Sequence, residues 1–148
     1  MTSFFPDVNV WLALADPAHT HSTPAWAWLD SLPSGSRLVL SRFTQLAILR
    51  LLTNHSVMGP ATLTLSQAWT VLDRWSADPR VEFRSEPRGL DETFRRLLAP
   101  LASKPAPQWV GDCYLLAFAA QSHAALVTFD EVLHKFARKS GHPAVLPT

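Results

Sequence analysis

Residues 109–130 read WVGDCYLLAFAAQSHAALVTFD. The first part is apolar and small-residue-rich, the composition of a helix buried over most of its surface. Residues 125–129 then form a short apolar run suited to a buried strand. A carboxylate stands at each end, Asp112 where the helix begins and Asp130 where the strand ends. Buried elements seldom carry acids unless something pairs with them. In an α/β chain, moreover, element ends are where a ligand site forms. The fold and the site therefore turn on whether other acids reach the same place.

Working outward, the remaining chain alternates in the same way. Residues 2–6, TSFFP, suit a strand that Pro6 ends, because proline cannot donate to a ladder; Asp7 follows at once. Residues 8–15 read as a short helix stopped by Asp16-Pro17. Thr23-Pro24 reads as a helix cap and first position, followed by an apolar stripe of Ala25, Trp28, Leu29 and Leu32. Residues 37–41 form a second strand. Residues 43–53 are apolar nearly all round apart from Gln45 and Arg50, which predicts a buried helix. Residues 54–60 read as a loop. Ser66 reads as the cap of a helix with Ala68, Trp69, Leu72 and Trp75 on one face, ended by Asp78-Pro79. Residues 81–84 alternate like a strand. Asp91 reads as the cap of a helix carrying Phe94, Leu97, Leu98 and Leu101, and 104–107 form a stiff linker. The opening stretch places a helix at about 110–123. A short basic helix at 131–139 and an edge strand at 144–146 finish the chain.

Strands alternating with helices predict a three-layer α/β/α fold around a parallel sheet of four to five strands. The 148 residues suffice for one domain, 1–148, with a substantial core, and 47% hydrophobic content excludes a disordered chain. The single cysteine, Cys113, rules out an internal disulfide and a cysteine-based zinc site, and fits a reducing cytoplasm. The opening MTSFFPD lacks a basic start, so no secretory leader is expected, and no apolar run approaches a membrane span. A net charge of +1 does not mark a nucleic-acid binder, so any such contact would use local patches. The chain has no Gly-rich phosphate loop, which argues against nucleotide-triphosphate and dinucleotide enzymes.

Asp7 and Asp130 are expected at the carboxyl ends of the first and fourth strands, with Asp112 on the same rim. Taken singly, each has an ordinary explanation as a helix cap or turn residue. Together, if those strands are neighbours, they would repel one another without a counter-charge. An oxygen-only set without cysteine favours Mg²⁺ or Mn²⁺. Such an ion, held by acids and water, suits phosphodiester hydrolysis.

These segments carry a family resemblance. DVNVWLALADPAHTHSTPAWAWL at 7–29, TQLAILRLLTN at 44–54 and DCYLLAFAAQSHAALVTFD at 112–130 resemble, in order and spacing, a PIN domain of the VapC toxin type. The resemblance implies a Mg²⁺- or Mn²⁺-dependent endoribonuclease and a homodimer, neutralised by a small cognate antitoxin. It implies that Asp7, Asp112 and Asp130 are the metal-binding acids. Asn9 is then the polar neighbour of the first acid, and Thr128 the hydroxyl before the last. The family's second acid is missing: the matching slot holds Gln45, or Ala47 in another register. Gln45 can accept a hydrogen bond but brings no charge.

Two other functions compete. A PIN-like module that binds RNA or protein without cleaving it would be favoured by Gln45. A phosphatase for a small substrate would share the acids but need a deeper cleft. Among the remaining residues, His19 and His21 read as surface histidines or phosphate neighbours. Arg50, on an apolar helix, needs a carboxylate or phosphate partner. Lys135, Arg138 and Lys139 read as a solvated face or an RNA-backbone contact. Trp69 and Trp75 read as core or dimer interface, Trp26 as exposed, and Cys113 as a small buried residue.

Overall fold

The computed structural model describes residues 2–148; Met1, part of the reading against a leader, lies outside them. Strand β1 (Ser3–Pro6) is followed by helices α1 (Val8–Ala15) and α2 (Ser22–Asp30). Strand β2 (Arg37–Leu40) leads into α3 (Arg42–Leu52), a short α4 (His55–Met58) and α5 (Leu65–Ala77). Strand β3 (Val81–Phe83) precedes α6 (Leu90–Leu98) and α7 (Gln108–Gln121). Strand β4 (Ala125–Val127), α8 (Glu131–Lys139) and β5 (Ala144–Val145) complete the chain.

The five strands form one sheet in the order β3-β2-β1-β4-β5, every pair parallel. Successive side chains of a strand point to opposite faces, and here each face has its own core. Phe5, Val39 and Leu126 face α6, α7 and α8. Leu38, Leu40 and Val127 face α1, α2, α3 and α5. Both faces are covered, as a parallel sheet requires. Phe5 stacks on Phe118 of α7 at 4.7 Å, and Phe4, on the other face, meets Trp28 edge-on at 5.6 Å. The expected three-layer α/β/α fold is present, with five strands.

The topology also locates a crevice. From β1 the chain steps to β2 and β3 on one side, then crosses to β4 and β5 on the other. The order reverses between β1 and β4, and ligands bind beyond the carboxyl ends of strands at such a switch point.

Several local expectations are corrected. Helix α2 begins at Ser22 after His21, so Thr23 is inside it rather than capping it. Asn54 caps α4 by accepting from Ser56 N, so this stretch is not simply a loop. Helix α5 is capped by Thr64, not Ser66, through a capping box in which Thr64 and Gln67 exchange hydrogen bonds. Gly89, in the left-handed region at φ 77°, precedes α6, and Asp91 instead pairs with Arg95 one turn on. Helix α3 is not buried all round. It buries Thr44, Ile48 and Leu52, while Phe43 and Leu46 are 42% and 53% exposed. Trp69 of α5 is also exposed, whereas Trp75 packs on Trp11 at 4.7 Å. No helix among the described residues is long and apolar enough to cross a membrane.

Candidate active site

Asp7 follows β1 directly and is the N-cap of α1, its Oδ1 accepting from Val8 N at 2.7 Å. It is only 6% exposed. Its other oxygen, Oδ2, accepts from the buried Thr128 hydroxyl at 2.9 Å and from Asn9 Nδ2 at 3.3 Å. Asn9 Nδ2 also donates to Thr128 Oγ1 at 3.2 Å, and Asn9 Oδ1 accepts from Phe129 N at 3.2 Å. Thr128 Oγ1 in turn accepts from Asp130 N at 3.0 Å. Asn9 and Thr128 thus bind the end of β1 to the end of β4 and fix Asp7 and Asp130 relative to each other. Asp130 caps α8, its Oδ1 accepting from Val132 N and Leu133 N.

Asp112 differs from the expectation. Helix α7 starts four residues earlier, at Gln108, because Trp109 N and Val110 N bond back to Ala106 O and Pro107 O and begin the turn there. Asp112 therefore lies a turn inside the helix and does not cap it. This removes the capping explanation for Asp112. Its carboxyl is pushed up to about 6 by burial first, then by repulsion from Asp130 and from Asp7. Asp7 is also raised, mainly by burial; the bonds from Thr128 and Val8 oppose this, and repulsion from Asp130 adds to it. The three acids therefore sense one another across the crevice, and among the described residues no cation forms an ion pair with them.

They do not, however, close on a common point. Among the described residues no three His, Cys, Asp or Glu side chains stand close enough to form a ready-made metal cage. The cap bonds of Asp7 and Asp130 hold oxygens toward helix N–H groups, and among the described residues no cation offsets the mutual repulsion. The donor set is all oxygen at this rim. Cys113 is buried, and burial with the Asp112 charge raises its thiol to about 11, so it offers no thiolate. These residues fit an open site for a hard divalent cation that keeps several waters.

Other candidates fall into place around this network. Gln45 does not bond to any of the acids; its side-chain oxygen accepts from the Arg42 guanidinium at the start of α3. His21 stacks face to face on Phe129 at 4.4 Å, and His19 Nδ1 accepts from His21 N, so the histidine loop leans on the strand end between Thr128 and Asp130. Burial, then His21, lowers the His19 pKa. Arg50 is exposed, and among the described residues no carboxylate pairs with it. Lys135, Arg138 and Lys139 are exposed, but Arg138 and Lys139 occupy the far end of α8 from Asp130, not its side.

The sequence reading also passed over Phe43. A side chain added at Gly111, next to Asp112, would meet the Phe43 ring at 3.8 Å. Phe43 of α3 therefore lies against α7 one residue before Asp112.

Comparison with known proteins agrees with this architecture. The PIN domain family matches residues 4–139. Ribonuclease VapC41 of Mycobacterium tuberculosis is 36% identical over 134 residues, 88% of this chain and 90% of that protein. Ribonuclease VapC39 of the same organism is 31% identical over 136 residues, 86% and 88% of the two chains. The structure of VapBC2 from Rickettsia felis bound to a promoter DNA fragment superposes with a TM-score of 0.72 at 15% identity, covering 97% of this chain and 98% of that one. VapBC-1 from nontypeable Haemophilus influenzae gives 0.71 at 14% identity, with 97% of each chain covered. At such identities the two structures speak for the fold. The sequence relatives and the family match span almost the whole domain, and the chain belongs to the PIN-domain family, in its VapC branch.

Proposed function

We propose that this protein is a Mg²⁺- or Mn²⁺-dependent endoribonuclease, the toxin of a toxin–antitoxin pair acting in the cytoplasm. The observation that carries this reading is the β1–β4 network. Asp7, Asn9, Thr128 and Asp130 are locked together at the switch point, and Asp112 faces them uncapped with a raised pKa. The membership of the VapC ribonuclease branch supports the same activity.

Asp7, Asp112 and Asp130 would hold the cation. When bound, a divalent ion lowers the pKa of water and polarises the phosphoryl group for attack. The protein's part is positioning. Thr128 and Asn9 fix the orientation of the Asp7 carboxylate, and the α8 N–H groups fix that of Asp130. Asp112, stiffened by the body of α7, supplies the charge that the pocket would otherwise reject. Gln45, held by Arg42, brings no charge where the family's second acid would stand, which favours one tightly bound ion over two.

The structural neighbours include toxins solved with their antitoxins, and this supports a small antitoxin as partner here. The exposed apolar Leu46 of α3 supports a homodimer. A second reading is a weakened PIN module that binds RNA without cutting it. It is favoured by Gln45 in place of an acid and by the lack of a closed acid cage among the described residues.

Purified protein should cleave single-stranded RNA with Mg²⁺ or Mn²⁺ and stop on addition of EDTA. Asp112→Asn should lower cleavage by at least about a hundredfold, which is roughly 3 kcal/mol of transition-state stabilisation, with the circular dichroism spectrum retained. RNA binding that persists without metal-dependent cleavage would select the second reading.

A further inference from the structure

Beside the acids, on the same rim, lies a second cleft. It opens beyond the carboxyl ends of β2 and β3 and has a volume of about 350 Å³. Its walls are aromatic: Phe43 from α3, Phe83 from the end of β3, and Tyr114 and Phe118 from α7. Phe43 rests on Tyr114 with ring centroids 4.9 Å apart, and its ring edge approaches Gly111, the neighbour of Asp112. Phe43 is therefore a wall of the cleft that also lies against α7 next to Asp112. Tyr114 lies two residues beyond Asp112, so one helix carries both.

The polar groups of the cleft are Arg42, Arg84, Ser85 and Glu86, and the Arg84 guanidinium is already bonded to Glu82, Ser122 O and Ser3. Arg42 lies over the Phe83 ring at 4.9 Å and bonds Gln45, with its remaining donors at an exposed position. Glu86 accepts the Tyr114 hydroxyl at 2.7 Å through Oε1. Its second oxygen makes no hydrogen bond among the described residues. Phe43 and Phe83 are each more than 40% exposed.

We infer that this cleft receives an unpaired nucleobase of the RNA adjoining the phosphate that is cut. The inference rests on the ribonuclease reading for the identity of the substrate. Unpaired bases are bound by stacking on aromatic rings and guanidinium planes, with polar atoms reading the base edge. The cleft supplies all three elements: ring faces from Phe43 and Phe83, a guanidinium from Arg42, and a carboxylate oxygen from Glu86. A free carboxylate oxygen accepts but cannot donate. It therefore favours bases with an amino group over uracil, whose oxygens it would repel. The remaining Arg42 donors, at the exposed mouth of the cleft, supply positive charge for the flanking phosphate. An RNA strand passing from Asp112 over Phe43 would thus place one phosphate at the acids and the neighbouring base in the cleft.

The test uses the full chain carrying Asp112→Asn, which keeps the RNA intact, in Mg²⁺ buffer. Short single-stranded oligoribonucleotides carry the fluorescent base 2-aminopurine at each position in turn. Stacking in the cleft should quench the probe strongly at one position. Adding Phe43→Ala should remove that quench and raise Kd about tenfold, and Phe43→Tyr should restore both. In the otherwise native protein, Phe43→Ala should raise KM for cleavage more than it lowers kcat, and Glu86→Gln should weaken the preference for amino-bearing bases. Uniform fluorescence along the oligonucleotide, or an unchanged quench in Phe43→Ala, overturns the cleft as a base site even if the native protein cleaves RNA. A position-specific quench lost in Phe43→Ala, from a protein that never cleaves RNA with metal, supports the cleft and sinks the nuclease reading instead.

Discussion

Helices α3 and α7 look alike as sequences and differ as structures. Both are dominated by apolar residues, and the chain order alone marks both as buried. In α7 this holds: Cys113 and the run from Leu115 to Ala119 are all buried between the sheet and α6. Helix α3 packs only one stripe, Thr44, Ile48 and Leu52, against α1 and α5, and leaves Phe43 and Leu46 in solvent. The difference lies in position. Helix α7 leads into β4, next to the central β1, and has a second helix over it. Helix α3 follows β2, beside the edge strand β3, and no helix covers its outer side. An apolar composition therefore describes a buried helix only where two layers are available to bury it. Where one is missing, the extra apolar residues face outward and are free to serve the site and its partners.

The largest expected effect is on α7. Leu116 is fully buried between α6 and the sheet. Leu116→Ala should remove about 3 kcal/mol, the transfer term plus the cavity left behind. For a domain of this size that is a fall in melting temperature of about 10 °C, read by thermal denaturation. A fall of only a degree or two would mean that α7 is looser than its burial implies and that the contrast with α3 is false.

How much of this was legible in the sequence follows from the same physics. The sheet, and the places of Asp7 and Asp130, were legible because Pro6 and the short apolar runs mark strand ends without tertiary context. Helices α1 and α8 were legible to the residue because Asp7 and Asp16 bound the first, and Asp130 opens the second just as Ser140-Gly141 closes it. The start of α7 was not, because it depends on a turn after Pro105 and Pro107, and no strong capping residue announces it. The caps of α5 and α6 were missed for a similar reason: Thr64 and Gly89 compete with nearby Ser66 and Asp91, which are equally good caps on composition. The spread of the three acids was beyond sequence reasoning, since it depends on which oxygens the helix N–H groups claim. The one-sided burial of α3 is a property of its neighbours, not of its own residues.

A second test uses the acid that α7 carries. The folded pKa of Asp112, about 6, lies above the value of 3.8 for an unperturbed carboxylate. The folded protein therefore holds the proton more tightly than the unfolded chain. The associated stability is present below about pH 4 and is lost as pH rises through 6. At pH 7 the metal-free protein carries this cost in full. A shift of this size corresponds to about 3 kcal/mol, and the half-exposed carboxylate is screened by water, so about 1 kcal/mol should be measurable. Metal-free Asp112→Asn should melt about 3 °C above the native protein at pH 7, and the two should converge near pH 4. Mg²⁺ should then raise the native protein more than the variant. A variant that melts lower at pH 7 would show that Asp112 serves the fold rather than a ligand.

The smallest effect belongs to the outer face of α3. Leu46 is 53% exposed and lies off the buried stripe. In dilute protein, Leu46→Ser should change stability by no more than about 0.5 kcal/mol, since it removes little packing. That is at most about a sixth of the loss expected at Leu116, for a residue of the same type in a helix of similar composition. Raising the protein concentration turns the same variant into a test of what covers this face. If a second copy covers it, the native melting temperature climbs with concentration by mass action, and the variant lags behind it. If the two curves stay parallel at every concentration, the outer face of α3 does not belong to a self-association surface.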